Sequence, residues 1–204
     1  MTLHAVVPLK ALPLGKRRLA HSLADEVRRR LILTMLDGVA ATLLSSPGIA
    51  RVSVLTRDHT IVPRGCHHIA DVADDLNAAL AAAAEISVAA GAGAMLIVPA
   101  DVPLVECDDV AAILAAGRER TLVAAPDEVG GGTNALLVTP PQLIGTRFGP
   151  HSLAAHEAAA RAAGAQFLLV RRPRLAFDVD EPVQLRRLIR EGGTRYAFLG
   201  ADSR

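Results

Sequence analysis

Four basic side chains lie close together between a short apolar run and a long segment of helical period: Lys10, Lys16, Arg17 and Arg18. Cations that follow a strand can bind a polyphosphate and offset the charge that develops when a phosphoryl or nucleotidyl group is transferred. Lys10 and Lys16 are also the only lysines in the chain. Because an ammonium and a guanidinium group are not interchangeable, their position favours a requirement for lysine. The segment predicts an anion-binding loop, although the GxxxxGK[ST] and GxGxxG fingerprints are absent; the alternative is a solvated basic loop.

Three aspartates could hold a divalent cation. Asp101 follows an apolar run and stands between Pro99 and Pro103. A single Asp there is sufficient for Mg²⁺, which binds one or two carboxylates and completes its shell with water and phosphate oxygens. Asp178 and Asp180 share one face of an extended backbone, where two like charges need a cation. The alternatives are capping of a turn or of the next helix for Asp101, and helix capping by Asp180 with Glu181 in the first turn.

Two further segments could bind an anion through backbone N–H groups. Gly130, Gly131 and Gly132 precede Thr133 and allow a close approach of the backbone, and Ser152 is predicted to cap a helix that begins near residue 153. A flexible hairpin turn and ordinary capping are the alternatives. The seven histidines form no catalytic arrangement, but His156 lies where it could support the Ser152 region.

Short apolar runs alternate with longer segments of helical period, which is typical of an α/β protein with a mostly parallel sheet. One domain is predicted over residues 1–191, and residues 192–204 form a weakly specified tail. The predicted strands cover residues 3–7, 52–55, 94–98, 121–125, 134–138 and 166–170. The predicted helices cover residues 22–44, 76–89 with Asp74 or Asp75 as the cap, 108–116, 152–163 and 182–191.

Composition excludes several classes of protein. A net charge of +1, with four Phe, one Tyr and no Trp, gives no basic aromatic surface for nucleic acid. Cys66 and Cys107 have neither disulfide-framework nor zinc-ligand spacing. No signal segment and no run of about 18 apolar residues is present, so we expect no membrane partner and a cytoplasmic location.

Six segments together resemble a known enzyme family. They are VPLK with GKRRL at 7–19, LNAAL at 76–80, PADVPL at 99–104, APD with GGTNALL at 125–137, FGPHSLAAH at 148–156 and FDVDEP at 177–182. Together they resemble the 2-phospho-L-lactate or phosphoenolpyruvate guanylyltransferases of coenzyme F-420 biosynthesis, over about residues 5–191. The resemblance implies a Rossmann-like three-layer sandwich of the glycosyltransferase-A type. It also implies transfer of GMP from GTP to the phosphate of a small acid, with release of pyrophosphate.

The resemblance implies a role for each matching residue. Lys16 and Asp101 would be catalytic, with Lys16 beside the α- and β-phosphates of GTP. The implied ligands are Lys10, Lys16 and Arg18 for the triphosphate, Asn77 for the nucleotide, Asp101, Asp178 and Asp180 for Mg²⁺, and Thr133, Gly149 and Ser152 for the acceptor acid. The implied partners are GTP and either phosphoenolpyruvate or 2-phospho-L-lactate, with a homodimer as the candidate assembly.

Two positions depart from the family pattern. Asp75 stands where a glycine is expected, beside the nucleotide loop, and His151 stands where a small or polar residue is common. The Arg- and Ala-rich composition favours phosphoenolpyruvate as the acceptor. The alternatives are another nucleotidyltransferase of this fold, acting on molybdopterin or a sugar phosphate, and a non-catalytic nucleotide-binding protein.

Overall fold

A computed structural model of the protein describes residues 2–9 and 17–201, so that Lys10 and Lys16 lie outside the described residues. The described residues form seven strands: β1 (Leu3–Pro8), β2 (Ile49–Thr56), β3 (His67–Ala70), β4 (Ala94–Ile97), β5 (Thr121–Pro126), β6 (Thr133–Thr139) and β7 (Gln166–Leu169). They form one sheet in the order β3-β2-β1-β4-β6-β5-β7. β6 runs antiparallel to β4 and β5, and the other pairs are parallel. The predicted mostly parallel sheet is confirmed.

Helices cover both faces of this sheet. They are α1 (Asp25–Ser45), α2 (Leu76–Ala89), α3 (Cys107–Ala116), α4 (Ser152–Ala162), α5 (Pro173–Ala176), α6 (Pro182–Glu191) and α7 (Phe198–Ala201). α1, α3 and α5 contact one face, whereas α2 and α4 contact the other, which gives the predicted three layers. Within the part of the chain that the structure describes, no helix is long and apolar enough to cross a membrane.

The strands supply two cores because successive side chains point to opposite faces of a sheet. In β1, Ala5 and Val7 pack into the core on the α1 side, whereas Val6 packs into the core on the α2 side. In β4, Leu96 belongs to the first core and Ile97 to the second. Burial on both faces explains why β4 reads as an unbroken apolar run and why β1 is apolar except for His4.

Three of these helices and strands were not predicted from the sequence: β3, α5 and α7. β3 has the sequence HHIA, in which only Ile69 is buried, because the strand lies at the edge of the sheet. α5 is only four residues long and begins with Pro173. Neither β3 nor α5 contains enough apolar residues to show a periodicity.

A third apolar cluster joins the first half of α1 to the C-terminal part of the chain. Tyr196 and Leu199 are fully buried there, together with Leu31 and Met35 of α1. We predicted the domain to end at residue 191, whereas the packed chain continues through residue 199. The buried Tyr and Leu lie in a 3₁₀ turn and a four-residue helix, which are too short to show a helical period.

Candidate active site

The antiparallel orientation of β6 brings Thr133 and Asn134 to the edge of the sheet where β4 ends. β1 and β4 are parallel, so their carboxyl ends lie at the same edge. β6 pairs with β4 in the opposite direction, with Ile97 beside Leu136, so the first residues of β6, Thr133 and Asn134, lie beside the end of β4. Ligands of open α/β sheets bind at this edge.

A backbone hydrogen bond joins the two acidic motifs, one of which contains Asp101 and the other Asp178 and Asp180. The N–H of Val179 donates to the carbonyl of Asp101 at 3.1 Å. Phe177 and Val179 are fully buried, whereas Asp178 and Asp180 are half-buried. The alternation of the two carboxylates with buried apolar residues is therefore confirmed, and both carboxylates flank the point of contact with Asp101.

Asn134 was not recognised from the sequence, although it stands within the quoted GGTNALL motif. Its Nδ2 donates to the carbonyl of Ala176 at 3.0 Å and to Oδ1 of Asp178 at 3.3 Å. These bonds connect the start of β6 to residues 177–180, which are called the acidic segment below. Asn134 therefore helps to orient one of the carboxylates implied to bind metal.

Capping of α6 does not account for Asp178 or Asp180. The N-cap residue is Glu181, and Oε1 of Gln184 accepts the N–H groups of Asp180 at 2.8 Å and of Glu181 at 2.7 Å. The alternative in which Asp180 caps this helix is therefore wrong, because Glu181 and Gln184 form the capping box.

The described residues contain no group of three or more His, Cys, Asp or Glu side chains arranged to hold a metal ion. The chemistry of Asp101, Asp178 and Asp180 nevertheless fits Mg²⁺, which prefers carboxylate oxygens and takes much of its shell from water and phosphate. Only one or two of these carboxylates are required as direct ligands. The assignment of Mg²⁺ to them stays a prediction.

Asp109 of α3 anchors the acidic segment by binding two arginines that precede it in the chain. This carboxylate is 1% exposed and accepts from Nε of Arg172 at 2.8 Å and from Nε of Arg174 at 2.7 Å. Burial raises the pKa of Asp109, but hydrogen bonds from the two arginines and from the Glu106 N–H outweigh it, so the pKa is lowered overall. Arg172 and Arg174 begin the turn of α5 that leads into residues 177–180.

We expect Asp109→Ala to lower the free energy of unfolding by about 2–4 kcal/mol, because it leaves two arginines without their shared carboxylate and removes a cap of α3. Half-exposure of the arginines keeps the loss below that of a fully buried pair. Urea unfolding measures it, with Asp108→Ala as the control, since Asp108 is exposed in the same helical turn. Equal losses in both variants would show that Asp109 does not anchor the segment.

Arg18 lies beside the acidic motif. Its guanidinium donates to Oε1 of Glu181 at 3.3 Å, and the two side chains are 72% and 53% exposed. Because such an exposed ion pair contributes less than about 1 kcal/mol, a polyphosphate could displace Glu181 at little cost. The contact therefore permits the predicted role of Arg18 but does not test it.

Asn77 contacts Phe148 in the structure, and its implied contact with the nucleotide stays a prediction. Its Oδ1 accepts the N–H of Phe148 at 2.7 Å, and its Nδ2 donates to the carbonyl of Phe148 at 2.9 Å. The amide thus clamps the segment that contains Gly149. Asp75 caps α2, with its Oδ1 accepting the N–H groups of Asn77 and Ala78. Asp75, which stands where the family pattern has a glycine, therefore has a structural role as the cap of α2.

The triple-glycine loop is organised by Asp127. Its Oδ1 accepts the N–H groups of Gly130 at 2.6 Å and Gly131 at 2.9 Å. A Cβ at Gly132 would lie 2.6 Å from Oδ2 of Asp127, which explains the glycine there. The expectation that these N–H groups are open to an anion needs correction for Gly130 and Gly131, because Asp127 already accepts from both.

Thr133 and Ser152 come together in a buried cluster with His156. The Ser152 hydroxyl lies 3.1 Å from Thr133 Oγ1, which lies 3.1 Å from Nδ1 of His156, and all three residues are at most 5% exposed. Ser152 is the first residue of α4, and His151 occupies the N-cap position at φ 56°. The predicted capping role of Ser152 is therefore wrong, because its hydroxyl is directed to Thr133.

Gly149 adjoins this cluster through the backbone. Its carbonyl accepts the N–H of Ser152 at 3.2 Å, and its own φ of 133° is a conformation that favours glycine. The N–H of Leu153 donates to the carbonyl of Gly131 at 3.2 Å. An anion at the start of α4 would therefore have to replace these two long hydrogen bonds.

The support that His156 was predicted to give the Ser152 region is confirmed by these contacts. Its Nε2 accepts the backbone N–H of Arg147 at 2.9 Å, and its ring packs edge-on against Phe148 at 5.0 Å. Burial, followed by the charge of Arg147, lowers the pKa of His156 to about 4. His156 is therefore neutral near pH 7.

We expect His156 to make the protein less stable as the pH falls from about 6.5 to about 4. The unfolded chain binds a proton on this residue in that range and the folded chain does not, so each pH unit costs up to about 1.4 kcal/mol. The measurement is urea unfolding across this range, with His156→Asn as the control because it retains the other titrating groups, including His4. Parallel pH profiles for the two proteins would contradict the expectation.

Comparison with known proteins identifies the family. The sequence pattern of the family described as "Guanylyl transferase CofC like" matches residues 3–199. The chain belongs to this family of guanylyl transferases. A protein of Rubrobacter xylanophilus named phosphoenolpyruvate guanylyltransferase is 39% identical over 201 residues, covering 96% of this chain and 98% of that relative. A protein of the same name from Roseiflexus castenholzii is 43% identical over 187 residues, covering 89% and 85%.

Solved structures agree with the CofC-like family on the fold. A nucleotidyl transferase from Methanothermobacter superposes with a TM-score of 0.68 at 16% identity, covering 98% of this chain and 99% of that one. CMP:2-keto-3-deoxy-manno-octonic acid synthetase complexed with CTP superposes with a TM-score of 0.59 at 14% identity, covering 99% and 100%. These structures confirm the predicted nucleotidyltransferase fold, and the family match and the named relatives confirm the predicted enzyme class.

Proposed function

We propose that the protein transfers GMP from GTP to the phosphate of phosphoenolpyruvate, releasing pyrophosphate, as a step of coenzyme F-420 biosynthesis. The observation that carries the proposal is its likeness, over nearly the whole chain, to relatives named phosphoenolpyruvate guanylyltransferase. A guanylyl transferase requires a nucleotide and a phosphorylated acceptor. GTP as the nucleotide, a cytoplasmic location and a homodimer belong to the same proposal, and 2-phospho-L-lactate is the second candidate acceptor.

The reaction needs no nucleophile from the protein. An oxygen of the acceptor phosphate attacks the α-phosphorus of GTP and forms the new P–O bond, while the bond from the α-phosphorus to the β-phosphate oxygen breaks and pyrophosphate leaves. Both reactants are anions, so the protein has to overcome their repulsion and align them in line. In this proposal, cationic side chains bind the triphosphate, and the neutral hydroxyls of Thr133 and Ser152 bind the acceptor.

Each residue has a proposed task in this scheme. Lys10, Lys16 and Arg18 hold the triphosphate, and Lys16 neutralises charge that develops between the α- and β-phosphates. Nucleotidyltransferases generally use a divalent metal; we propose Mg²⁺ held by Asp101, Asp178 and Asp180. When bound, it supplies positive charge to the phosphate oxygens. The Val179–Asp101 hydrogen bond supports this grouping because it brings the two acidic motifs together.

On the acceptor side, Thr133, Gly149 and Ser152 are proposed to receive the phosphate and carboxylate of the acid. Their support is the direct contact between the two hydroxyls and the bond from the Ser152 N–H to Gly149. Asn77 is proposed to lie beside the nucleotide. It also holds Phe148, and with it the neighbouring Gly149, against α2.

Pyrophosphate release by the purified protein tests the proposal. The assay contains GTP and Mg²⁺ with phosphoenolpyruvate, 2-phospho-L-lactate or 3-phosphoglycerate, and ATP and CTP serve as nucleotide controls. We expect release with GTP and phosphoenolpyruvate. Release with 2-phospho-L-lactate alone would reassign the acceptor, and no release with any pair from folded protein would favour another nucleotidyltransferase activity or a non-catalytic role.

A further inference from the structure

One backbone N–H, that of Arg147, determines which atoms carry the protons in the cluster of Thr133, Ser152 and His156. The N–H of Arg147 can only donate, so Nε2 of His156 must accept with a lone pair. The remaining ring proton of the neutral imidazole is therefore on Nδ1. From there it points at Oγ1 of Thr133, 3.1 Å away, and the imidazole acts as a donor to this hydroxyl.

One hydroxyl proton of the Thr133–Ser152 pair then has no acceptor within the cluster. The hydroxyls of Thr133 and Ser152 lie 3.1 Å apart and share a single hydrogen bond, so one of their two O–H protons lies between them. His156 supplies a third proton, which occupies a lone pair of Thr133. Among the described residues, neither hydroxyl has a further acceptor. Whichever hydroxyl donates across the pair, the other retains an O–H that can donate to a ligand.

The position of the cluster indicates where that O–H is used. Thr133 begins β6 and Ser152 begins α4, so both stand at the edge of the sheet where β4 ends. Thr133 is followed directly by Asn134, which contacts Asp178. An anion that approaches the acidic motifs from the side of Gly149 would meet a hydroxyl donor that carries no charge of its own.

We propose that His156 is a positioning residue for acceptor binding. Its Nδ1–H donates to a lone pair of Thr133 Oγ1. The second hydroxyl proton of the Thr133–Ser152 pair is therefore directed to the carboxylate or phosphate of a small phosphorylated acid. This inference rests on the proposed function, because it assigns the cluster to the acceptor subsite. It adds a residue and a proton assignment to that subsite, and His156 itself does not touch the acid.

Two amide substitutions separate the bonds of His156. His156→Asn places an amide N–H where Nδ1 stands and retains the bond to Thr133, whereas His156→Gln places its amide near the Nε2 position and retains the acceptor for Arg147. We expect His156→Gln to raise the KM for phosphoenolpyruvate about 10-fold or more, because a hydrogen bond to a charged group is lost. The KM for GTP should change less than about twofold, and His156→Asn should keep the acid KM within about threefold of wild type.

A double variant tests whether the effect passes through Thr133. Thr133→Val removes the hydroxyl at nearly constant shape, so adding His156→Gln to it should raise the acid KM no further. Additive effects, or equal rises in the GTP and acid KM values, would overturn the proposal in favour of a structural role. If the His156 variants do not fold, Thr133→Val decides instead: it should raise the acid KM and leave the GTP KM within about twofold, and equal rises in the two KM values overturn the proposal.

Equilibrium binding separates this inference from the proposed function. Calorimetry measures phosphoenolpyruvate binding to wild type and to both His156 variants in the presence of Mg²⁺ and a non-hydrolysable GTP analogue. Failure of wild type to release pyrophosphate, with the acid still bound and His156→Gln still weaker than His156→Asn, would reject the function and retain the positioning role. No binding of the acid to wild type, or equal binding to the two variants, would reject the positioning role.

Discussion

Asp101→Asn is expected to lower the rate of GTP-dependent pyrophosphate release about 10³-fold or more. The substitution removes one negative charge at nearly constant volume, and metal-assisted stabilisation of transferring phosphates contributes several kcal/mol, with about 1.4 kcal/mol for each factor of ten. The fold should be unchanged, because the side-chain volume is retained and the backbone carbonyl of Asp101 still accepts the N–H of Val179. Steady-state kinetics with GTP, Mg²⁺ and phosphoenolpyruvate measure the effect.

Asp108→Asn is the matched control for this prediction. It makes the same chemical change seven positions away, at an exposed carboxylate in the first turn of α3. We expect its rate to remain within about twofold of wild type. Wild-type activity in Asp101→Asn, with thermal unfolding equal in both variants, would remove Asp101 from the proposed metal site.

Lys16→Arg is expected to lower the turnover number about 10²-fold or more, although the charge is preserved. Loss of a single well-placed donor to developing charge costs a factor of this size, and the planar guanidinium cannot replace a compact ammonium between two phosphates. The measurement is kcat with GTP and phosphoenolpyruvate, together with the Kd of a non-hydrolysable GTP analogue. Nucleotide binding should change less than turnover.

A rate close to wild type in Lys16→Arg would make the location of both lysines in residues 10–16 a coincidence of an Arg-rich composition. Arg18→Lys is the reverse comparison in the same segment. Arg18 is exposed and pairs with Glu181 only weakly, so we expect a smaller loss than for Lys16→Arg. The order of the two effects therefore tests whether Lys16 has a specific role.

Several elements could be predicted because their signals are local. The strands β1 and β4 are buried on both faces and are apolar throughout except for His4, whereas α1 repeats its apolar residues at intervals of three and four. The alternation of Phe177, Asp178, Val179 and Asp180 predicted which side chains are buried, because period-two alternation depends on the backbone alone. β3 lacked such a signal, since an edge strand buries too little to require a pattern.

The partners of polar side chains could not be predicted in the same way. The amide of Asn77 binds the backbone of Phe148, 71 residues away, and no local pattern indicates this contact. Ser152 stands where a cap is expected, yet its hydroxyl is directed to Thr133, 19 residues away. Asp109 resembles an ordinary first-turn carboxylate until α5 brings Arg172 and Arg174 to it. Such bonds depend on which strands are neighbours, and this information is absent from any single segment.

The sequence by itself determined the class of fold, the family and the residue types available for chemistry, because hydrophobic period and short motifs are properties of neighbouring residues. Only the tertiary structure decided that β6 runs antiparallel, which places Thr133 and Asn134 beside the end of β4. It alone decided which N–H group faces His156, and hence which ring nitrogen carries the proton. The physical reason is that hydrogen bonds between distant segments form only after the layers have packed and excluded water, when each buried donor must find an acceptor.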